Sequence, residues 1–318
     1  MEINMKTYRI YQVDAFTRSR FCGNPAGVVP NADGLTDDQM QQIARELNNS
    51  ETAFIFSPTS PDYDVEVRYF TPTTEVPLCG HATIAAHYVR AVERTFTSGR
   101  IVAKTKAGVL PVNVEERNGD YAIVMTQGAP EVGAPLDENV TARIAASLGL
   151  RKEELRADCP VTIASTGHSK VMVGIKSIEK LHSLKPNLSA LVSISSEIGC
   201  NGYYVFTLNP GSDPLVHGRM FAPAIGIAED PVTGNANGPL GIYLVHYGIC
   251  QELANARAFD FSIKQGEAIR RAGTMRVHVD IDDGVPKRVQ ISGNTVFPLQ
   301  KSFIFLILHI FDVEVHYL

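Results

Sequence analysis

The residues of this 318-residue chain best suited to chemistry stand where a predicted strand turns into a predicted helix. Cys79 and Gly80 precede the Ala-rich run "HATIAAHYV", which begins at His81, and Glu51 begins the strand-like "ETAFIF". A helix that begins at glycine presents unpaired backbone N–H groups and the positive end of its dipole, which bind anions such as a carboxylate. A carboxylate and an imidazole beside such a site are suited to proton transfer.

A second set of polar residues precedes another helix that opens on glycine. Asp230 is followed by Thr233, Gly234 and Asn235, which begin "TGNANGPLGIYLV", and Asn201 stands near the position equivalent to Glu51. The two helix starts therefore offer similar backbones but different titratable groups. Proton transfer on one substrate needs such an asymmetric set.

Each of these residues also has a purely structural interpretation. Glu51 is compatible with an exposed loop position, and His81 with a helix residue that only solvent satisfies. Asp230, which precedes a proline, is typical of a turn, and Cys79 is typical of a small buried hydrophobe. Their joint placement at two equivalent helix starts favours the functional interpretation.

The elements that position these residues recur along the chain. "RYFTP" (68–72) is echoed by "RMFAP" (219–223), "GNPAGVV" (from 23) by "GHSKVMV" (from 167), and the helix 36–47 by 187–199. "NGYYVFT" follows the later helix as "ETAFIF" follows the earlier one. This repeat predicts two similar α+β domains that enclose a cleft, where small-molecule sites usually lie.

The domain boundaries follow from the repeat. We expect a first domain over 1–127 and a second over 135–297, joined by the Gly/Pro-rich linker "QGAPEVGAP" at 127–135. The strand near 288–297 is a candidate to return to the first domain. Residues 298–318 form an atypical apolar tail, which we expect either to pack as an extra strand or to promote association.

Composition excludes several classes of function. The net charge of −5, the pI near 6.0 and the lack of a Lys/Arg cluster argue against nucleic acid and membrane surfaces as partners. Five cysteines without a CxxC pair fit a reducing cytoplasm better than a disulfide framework or a zinc site. No signal-peptide core stands at the N-terminus, and "FIFLILHIF" is too short to span a bilayer.

Known ligand motifs are missing from the sequence as well. The nine histidines show no HExxH pairing, so no metal is expected. "GNPAG" and "GNANG" match neither the P-loop nor the dinucleotide fingerprint. We therefore expect no NAD, FAD or ATP as a cofactor.

Four motifs in order carry a family resemblance: "VDAFT…GNPAGVV", "SETAFI", "YFTPTTEVPLCGHAT" and "EDPVTGNANG". They resemble the PhzF (phenazine-biosynthesis-like) isomerase family, above all its uncharacterised YddE-type branch, over roughly residues 7–297. The resemblance implies the fold of diaminopimelate epimerase. In that fold, two similar domains each wrap a barrel-like sheet around a central helix, with the active site between them. It also implies a homodimer.

The resemblance assigns roles to particular residues. It implies that Glu51 is the essential acid/base, that His81 and Asp230 support it, and that Gly80 contacts substrate through its backbone. The residues expected to contact substrate are Asn24, Cys79, Gly80, Thr233, Gly234 and Asn235. The family has a serine where this chain has Asn235, which points to a different substrate.

The leading hypothesis is a cofactor-independent isomerase that moves a proton on a small unsaturated or cyclic carboxylic acid. An amino-acid racemase or epimerase on this fold is the alternative, but it needs two facing thiols. Cys79 stands at the first helix start, whereas Pro231 and Val232 stand at the second. A non-catalytic acid-binding protein would not need Glu51, His81 and Asp230 together.

Overall fold

Nineteen strands and six α-helices are present in the described residues of the computed structural model, namely 6–94, 98–250, 257–298 and 303–307. The first half contains β1 (Lys6–Ala15), β2 (Asn24–Val29), α1 (Asp37–Leu47), β3 (Glu51–Phe56), β4 (Val65–Phe70), β5 (Glu75–Val76), α2 (Gly80–Arg94), β6 (Gly99–Thr105), β7 (Gly108–Arg117) and β8 (Asp120–Thr126). The second half contains β9 (Glu131–Pro135), α3 (Glu138–Ser147), β10 (Thr162–Ser165), β11 (Lys170–Gly174), α4 (Ile178–Ser183), α5 (Leu188–Ile198), β12 (Tyr203–Leu208), β13 (Val216–Ala222), β14 (Ile227–Asp230), α6 (Gly234–His246), β15 (Ala258–Gln265), β16 (Gly273–Asp282), β17 (Val285–Gly293), β18 (Thr295–Val296) and β19 (Phe303–Ile307).

The strand pairings of the two halves follow one pattern. In the first half, β2 is parallel to β3, β3 is antiparallel to β4, and β4 is parallel to β6. Strands β11, β12, β13 and β15 repeat these three pairings in the same order. The antiparallel runs β6-β7-β8 and β15-β16-β17 complete each half. This confirms the predicted α+β fold of two similar, pseudo-symmetric domains.

One helix lies at the centre of each domain. Every residue of α2 from Gly80 to Ala91 is buried, and α2 contacts β1, β2, β3 and β8. Helix α6 is buried in the same way against β10, β16 and β17. Its small residues permit close packing, because a Cβ at Gly241 would lie 2.8 Å from a methyl group of Val279. The predicted barrel-like sheet around a central helix is therefore present in both halves.

The predicted outer helix of the first domain also forms as its capping pattern indicates. The Thr36 side chain accepts a hydrogen bond from the Gln39 amide, and the Gln39 side chain bonds back to Thr36. Met40, Ile43 and Ala44 then face a small core of their own. Helix α1 leads directly to β3 and so fixes where Glu51 begins that strand.

The pairing register defines which residues of the two halves are equivalent. Thr52 in β3 and Tyr203 in β12 each pair with the phenylalanine of the "RYF" or "RMF" motif. Glu51 is therefore equivalent to Gly202. The sequence analysis placed Asn201 near that position, and the strand register places the equivalence one residue later. Asn201 itself is exposed and precedes β12.

The two halves exchange strands at their ends. β17 pairs with β8, with Gln290 opposite Thr126, and β18 pairs with β1. β9, which follows β8 in sequence, pairs with β10 of the second half. The C-terminal strand region thus joins the first domain while β9 joins the second.

The predicted linker at 127–135 is therefore too long. Its last five residues form β9, of which four are exposed. An exposed strand has no inside–outside alternation of apolar residues, so sequence periodicity could not reveal it.

The apolar tail contributes a strand where the structure describes it. β19 pairs antiparallel with β1, from Lys6 opposite Ile307 to Ile10 opposite Phe303. Of the two expectations for the tail, the extra strand is the one observed; residues 308–318 lie outside the described range. In the described part of the chain, no helix has the length and apolarity required to cross a membrane.

Candidate active site

One cavity of about 440 Å³ brings the predicted site residues together. It receives residues from both domains and includes the starts of α2 and α6. The predicted residues that line it are Asn24, Glu51, Cys79, Gly80, His81, Asp230, Thr233, Gly234 and Asn235. Its volume is that of a small-molecule pocket.

The first-domain side of the cavity holds a carboxylate, an imidazole and a thiol in contact. Glu51 Oε2 lies 3.4 Å from His81 Nε2, and Cys79 Sγ lies 3.3 Å from His81 Nδ1. Ser50 Oγ lies 3.2 Å from the same Nε2. His81 is thus held between the first residue of β3 and the residue before α2. This geometry can pass a proton between Glu51 and a ligand or orient the carboxylate.

Cys79 serves as the cap of α2. Its Sγ accepts a hydrogen bond from the Ala82 amide, and its carbonyl accepts from the amide and the hydroxyl of Thr83. Burial, reinforced by the charge of Glu51, raises the pKa of the Cys79 thiol well above its ordinary value. Since the thiolate is the reactive form of cysteine, this environment disfavours nucleophilic or basic chemistry at Cys79.

The second-domain side centres on Asp230 at the end of β14. Its Oδ1 accepts a 2.9 Å hydrogen bond from Asn24 Nδ2, and its Oδ2 accepts one from the Thr233 hydroxyl. Burial raises the pKa of Asp230 and the Glu51 carboxylate adds to this, whereas His81, Thr233 and Asn24 oppose it. The opposing effects of Glu51 and His81 on Asp230 couple the two sides of the cavity.

A glutamine that the sequence analysis missed holds this second side in place. Gln265 is fully buried, and its Nε2 donates to the Asp230 carbonyl at 2.8 Å and to Thr233 Oγ1 at 3.0 Å. Its Oε1 accepts from the Thr233 amide at 3.2 Å and from Asn237 Nδ2 at 2.9 Å. The turn from Asp230 into α6 is therefore fixed by one side chain from β15.

Glycine has a different purpose at each helix start. A Cβ at Gly80 would meet no atom within 4 Å, so the space beside this residue is open. A Cβ at Gly234 would lie 2.5 Å from Ile291 Cδ1, so a larger residue there would displace the end of the Ile291 side chain. Gln127 Nε2 also donates to the Gly234 carbonyl at 3.0 Å. A ligand can therefore reach the backbone amides more freely at the start of α2 than at the start of α6.

Asn235 lies where a second, smaller cavity adjoins the first. That cavity, of about 320 Å³, shares Pro77, Leu78, His168 and Asn235 with the larger one. Asn235, at which this chain departs from the family pattern, therefore contributes to the lining of both cavities.

Among the residues that the structure describes, two groups of side chains lie close enough to share a metal ion. They are Glu51, Cys79 and His81, and His182, His217 and Glu267, each with ligand atoms within 4.8 Å of one another. In the first group, the raised pKa of Cys79 disfavours the thiolate that metals prefer. In the second, Glu267 also forms a 2.9 Å salt bridge with Lys264. The first group is better suited to proton transfer than to metal binding.

A two-domain α+β fold, with a cavity that two central helix starts share and that titratable side chains help to line, is the arrangement predicted for a PhzF-type isomerase. The chain belongs to the family of phenazine biosynthesis-like proteins, whose model matches residues 13–300. It is 54% identical over 302 residues to an uncharacterized isomerase of Clostridium acetobutylicum, covering 94% of this chain and 99% of the relative. It is 48% identical over 290 residues to the uncharacterized isomerase YddE of Escherichia coli (strain K12), covering 91% and 95%.

A relative with a named substrate and a solved structure extend the comparison. The trans-2,3-dihydro-3-hydroxyanthranilate isomerase of Pseudomonas chlororaphis is 32% identical over 291 residues, covering 89% of this chain and 95% of the relative. The crystal structure of a PhzF-family protein of Bacillus anthracis matches with a TM-score of 0.84 at 33% identity, covering 95% of this chain and all of that chain (100%). The resemblance predicted from the motifs is confirmed, and the named relatives are isomerases.

Proposed function

We propose that this protein is a cofactor-independent isomerase that moves a proton on a small unsaturated or cyclic carboxylic acid. Glu51 removes a proton from a carbon next to the unsaturated system and returns it to another atom of the same molecule. The negative charge spreads over the conjugated system while the proton is away. Substrate and product have the same composition, so the reaction consumes no second reactant.

The observation that carries this proposal is the contact between Glu51 and His81 in a cavity that two helix starts share. The 3.4 Å separation between Glu51 Oε2 and His81 Nε2 allows the imidazole to orient the carboxylate or to relay its proton. The amides at the starts of α2 and α6 stabilise the charge that develops. Asp230, whose pKa burial raises, is the second group that can hold a proton.

The racemase alternative is less well supported. Two-thiol racemisation needs a thiol on each face of the substrate, and Cys79 is the one thiol among the described residues that line the cavity. The raised pKa of Cys79 also keeps that thiol protonated. One buried thiol that caps a helix does not supply the two bases of that chemistry.

Exchange of substrate hydrogen with heavy water tests the proposal. We would incubate the protein in D₂O with trans-2,3-dihydro-3-hydroxyanthranilate, the compound in the name of the P. chlororaphis relative, and with other cyclic and unsaturated carboxylic acids. Deuterium incorporation or a shifted double bond is expected for at least one acid. Glu51→Gln should abolish it, while the matched change Glu46→Gln on the exposed face of α1 should not.

Two further properties rest on the sequence alone: the oligomeric state on the family resemblance, and the location and partners on cysteine usage and charge. We propose that the protein is a homodimer and acts in the cytoplasm on a free small molecule, without nucleic acid or a membrane as partner. Sedimentation equilibrium would test the dimer, and a single species of 34.7 kDa would contradict it.

A further inference from the structure

The two domains differ in charge at one pair of equivalent positions. In the first domain, Ala26 of β2 lies opposite Glu51 of β3. In the second, the equivalent strands β11 and β12 bring Lys170 beside Gly202, whose carbonyl accepts a 2.8 Å hydrogen bond from the next residue of β11. A small residue and an acid in one domain are thus replaced by a base and a glycine in the other.

The lysine occupies the space that a side chain equivalent to Glu51 would need. A Cβ at Gly202 would lie 2.3 Å from Lys170 Cδ and 2.8 Å from its Cε. A side chain at that position would require the lysine stem to move, whereas glycine leaves room for it. The second domain has therefore exchanged the carboxylate position for an ammonium group.

Lys170 is buried without a counter-ion. It is 8% exposed, lines the candidate cavity, and donates from Nζ to the Ser169 carbonyl at 3.0 Å. Within the described residues, no carboxylate lies within ion-pairing distance (4.0 Å) of its Nζ. Burial lowers the pKa of Lys170, whereas Cys200 and Asp230 oppose this effect. A buried ammonium that only a neutral carbonyl satisfies is costly, and an anionic ligand would offset that cost.

We propose that Lys170 is the subsite for the substrate carboxylate, which it binds from the second-domain wall of the cavity. This inference rests on the proposed function and sharpens it. Lys170 holds the permanent charge of the substrate, and the helix-start amides remain available for the charge that develops during proton transfer. The substrate class is therefore one with a fixed carboxylate in both substrate and product.

Benzoate and benzamide, which share a shape and differ in charge, provide the test. We expect wild-type protein to bind benzoate at least tenfold more tightly than benzamide in calorimetric titrations. Lys170→Met should lose that preference and Lys170→Arg should keep most of it. Lys185→Met, an exposed change of the same net charge, should leave it unaltered. If the wild type shows no preference, or Lys170→Met retains it, the subsite is wrong.

Thermal unfolding without ligand provides a second readout. Lys170→Met should unfold at a higher temperature than the wild type, because it removes an uncompensated buried charge; a purely structural lysine would give the opposite result. If Lys170→Met does not fold, Lys170→Gln carries the same benzoate test. Glu51→Gln separates the two proposals, since it should abolish deuterium exchange but keep the benzoate preference. A benzoate preference in the wild-type protein without deuterium exchange on any acid would support the subsite and contradict the isomerase proposal.

Discussion

The starts of α2 and α6 are equivalent in the fold, yet they are built for different tasks. The α2 start has open space at Gly80 and a carboxylate, Glu51, that touches one imidazole. At the α6 start, the buried side chain of Gln265 forms four hydrogen bonds to the surrounding turn and helix, and Gly234 is packed against Ile291. Residues at the start of α2 are therefore open to a ligand, whereas hydrogen bonds and packing fix the start of α6.

This difference shows how a duplicated fold can support chemistry on one face of a substrate. Two equivalent bases would favour removal of a proton from one face and its return on the other. Here Glu51 has glycine as its counterpart, so the second domain provides hydrogen-bonding groups and positive charge instead. The comparison predicts that substitutions at equivalent positions have unequal effects.

The largest effect is expected at Glu51. Glu51→Gln keeps size and most hydrogen bonds but cannot accept a proton, so turnover should fall by about 10²–10⁴-fold. Asn201→Ala, beside the equivalent position in the second domain, should leave turnover nearly intact because Asn201 is exposed outside the cavity lining. Steady-state rates on an identified substrate would measure both. Near-full activity of Glu51→Gln would rule out the proposed base.

A smaller loss of turnover is expected from a substitution at Asp230, which precedes the start of α6. Asp230→Asn should cost less than Glu51→Gln, because in the proposed mechanism Asp230 orients the substrate or relays a proton and Glu51 removes it. The double variant should fall short of the summed losses, since groups that act on one proton transfer are not additive. A fully additive double variant would show that the two carboxylates act in separate steps.

The hydrogen bonds of the Gln265 side chain should contribute to the stability of the protein as well as to its turnover rate. Gln265→Leu leaves the Thr233 amide and the Asp230 carbonyl without their partner, which should cost about 1–3 kcal/mol of unfolding free energy. Gln290→Leu, which removes one 3.2 Å hydrogen bond to Thr126 at a partly exposed site, is the matched control.

A positioning role would appear in kinetics too. Folded Gln265→Leu should lose turnover while it still binds benzoate, because the turn of Asp230 is displaced and Lys170 is not. Equal losses for Gln265→Leu and Gln290→Leu would mean that the buried network does not hold the second helix start.

The pH dependence of stability offers a finer test of Asp230. Burial raises its pKa in the folded protein above the ordinary value of 3.8, so the folded state holds this proton more tightly than the unfolded chain does. The carboxyl group therefore disfavours folding increasingly as the pH rises from about 4 through its folded pKa. Asp230→Asn removes this penalty, and its midpoint of thermal unfolding should rise relative to wild type between pH 4 and 7. A constant difference would contradict the raised pKa.

The sequence predicted the residues at the start of α2 more completely than those at the start of α6, for physical reasons. Glu51 and His81 belong to contiguous motifs at predicted element boundaries, where strand and helix signals change. Gln265 lies 32 residues from Thr233 inside an alternating strand, so nothing local marks it. Lys170 falls within the "GHSKVMV" repeat, but its burial depends on the missing side chain of Gly202, which only the strand register reveals.

Cys79 should show the smallest effect. Serine is a favoured helix cap and can keep the hydrogen bond that Cys79 Sγ accepts from the Ala82 amide, so Cys79→Ser should fold and retain most activity. Cys79→Ala removes the cap and should cost about 0.5–2 kcal/mol of stability without a comparable loss of rate. Iodoacetamide should react slowly, because the buried thiol has a raised pKa and the thiolate is the nucleophile. Folded but inactive Cys79→Ser would instead assign the thiol to the chemistry and return two-base racemisation to consideration.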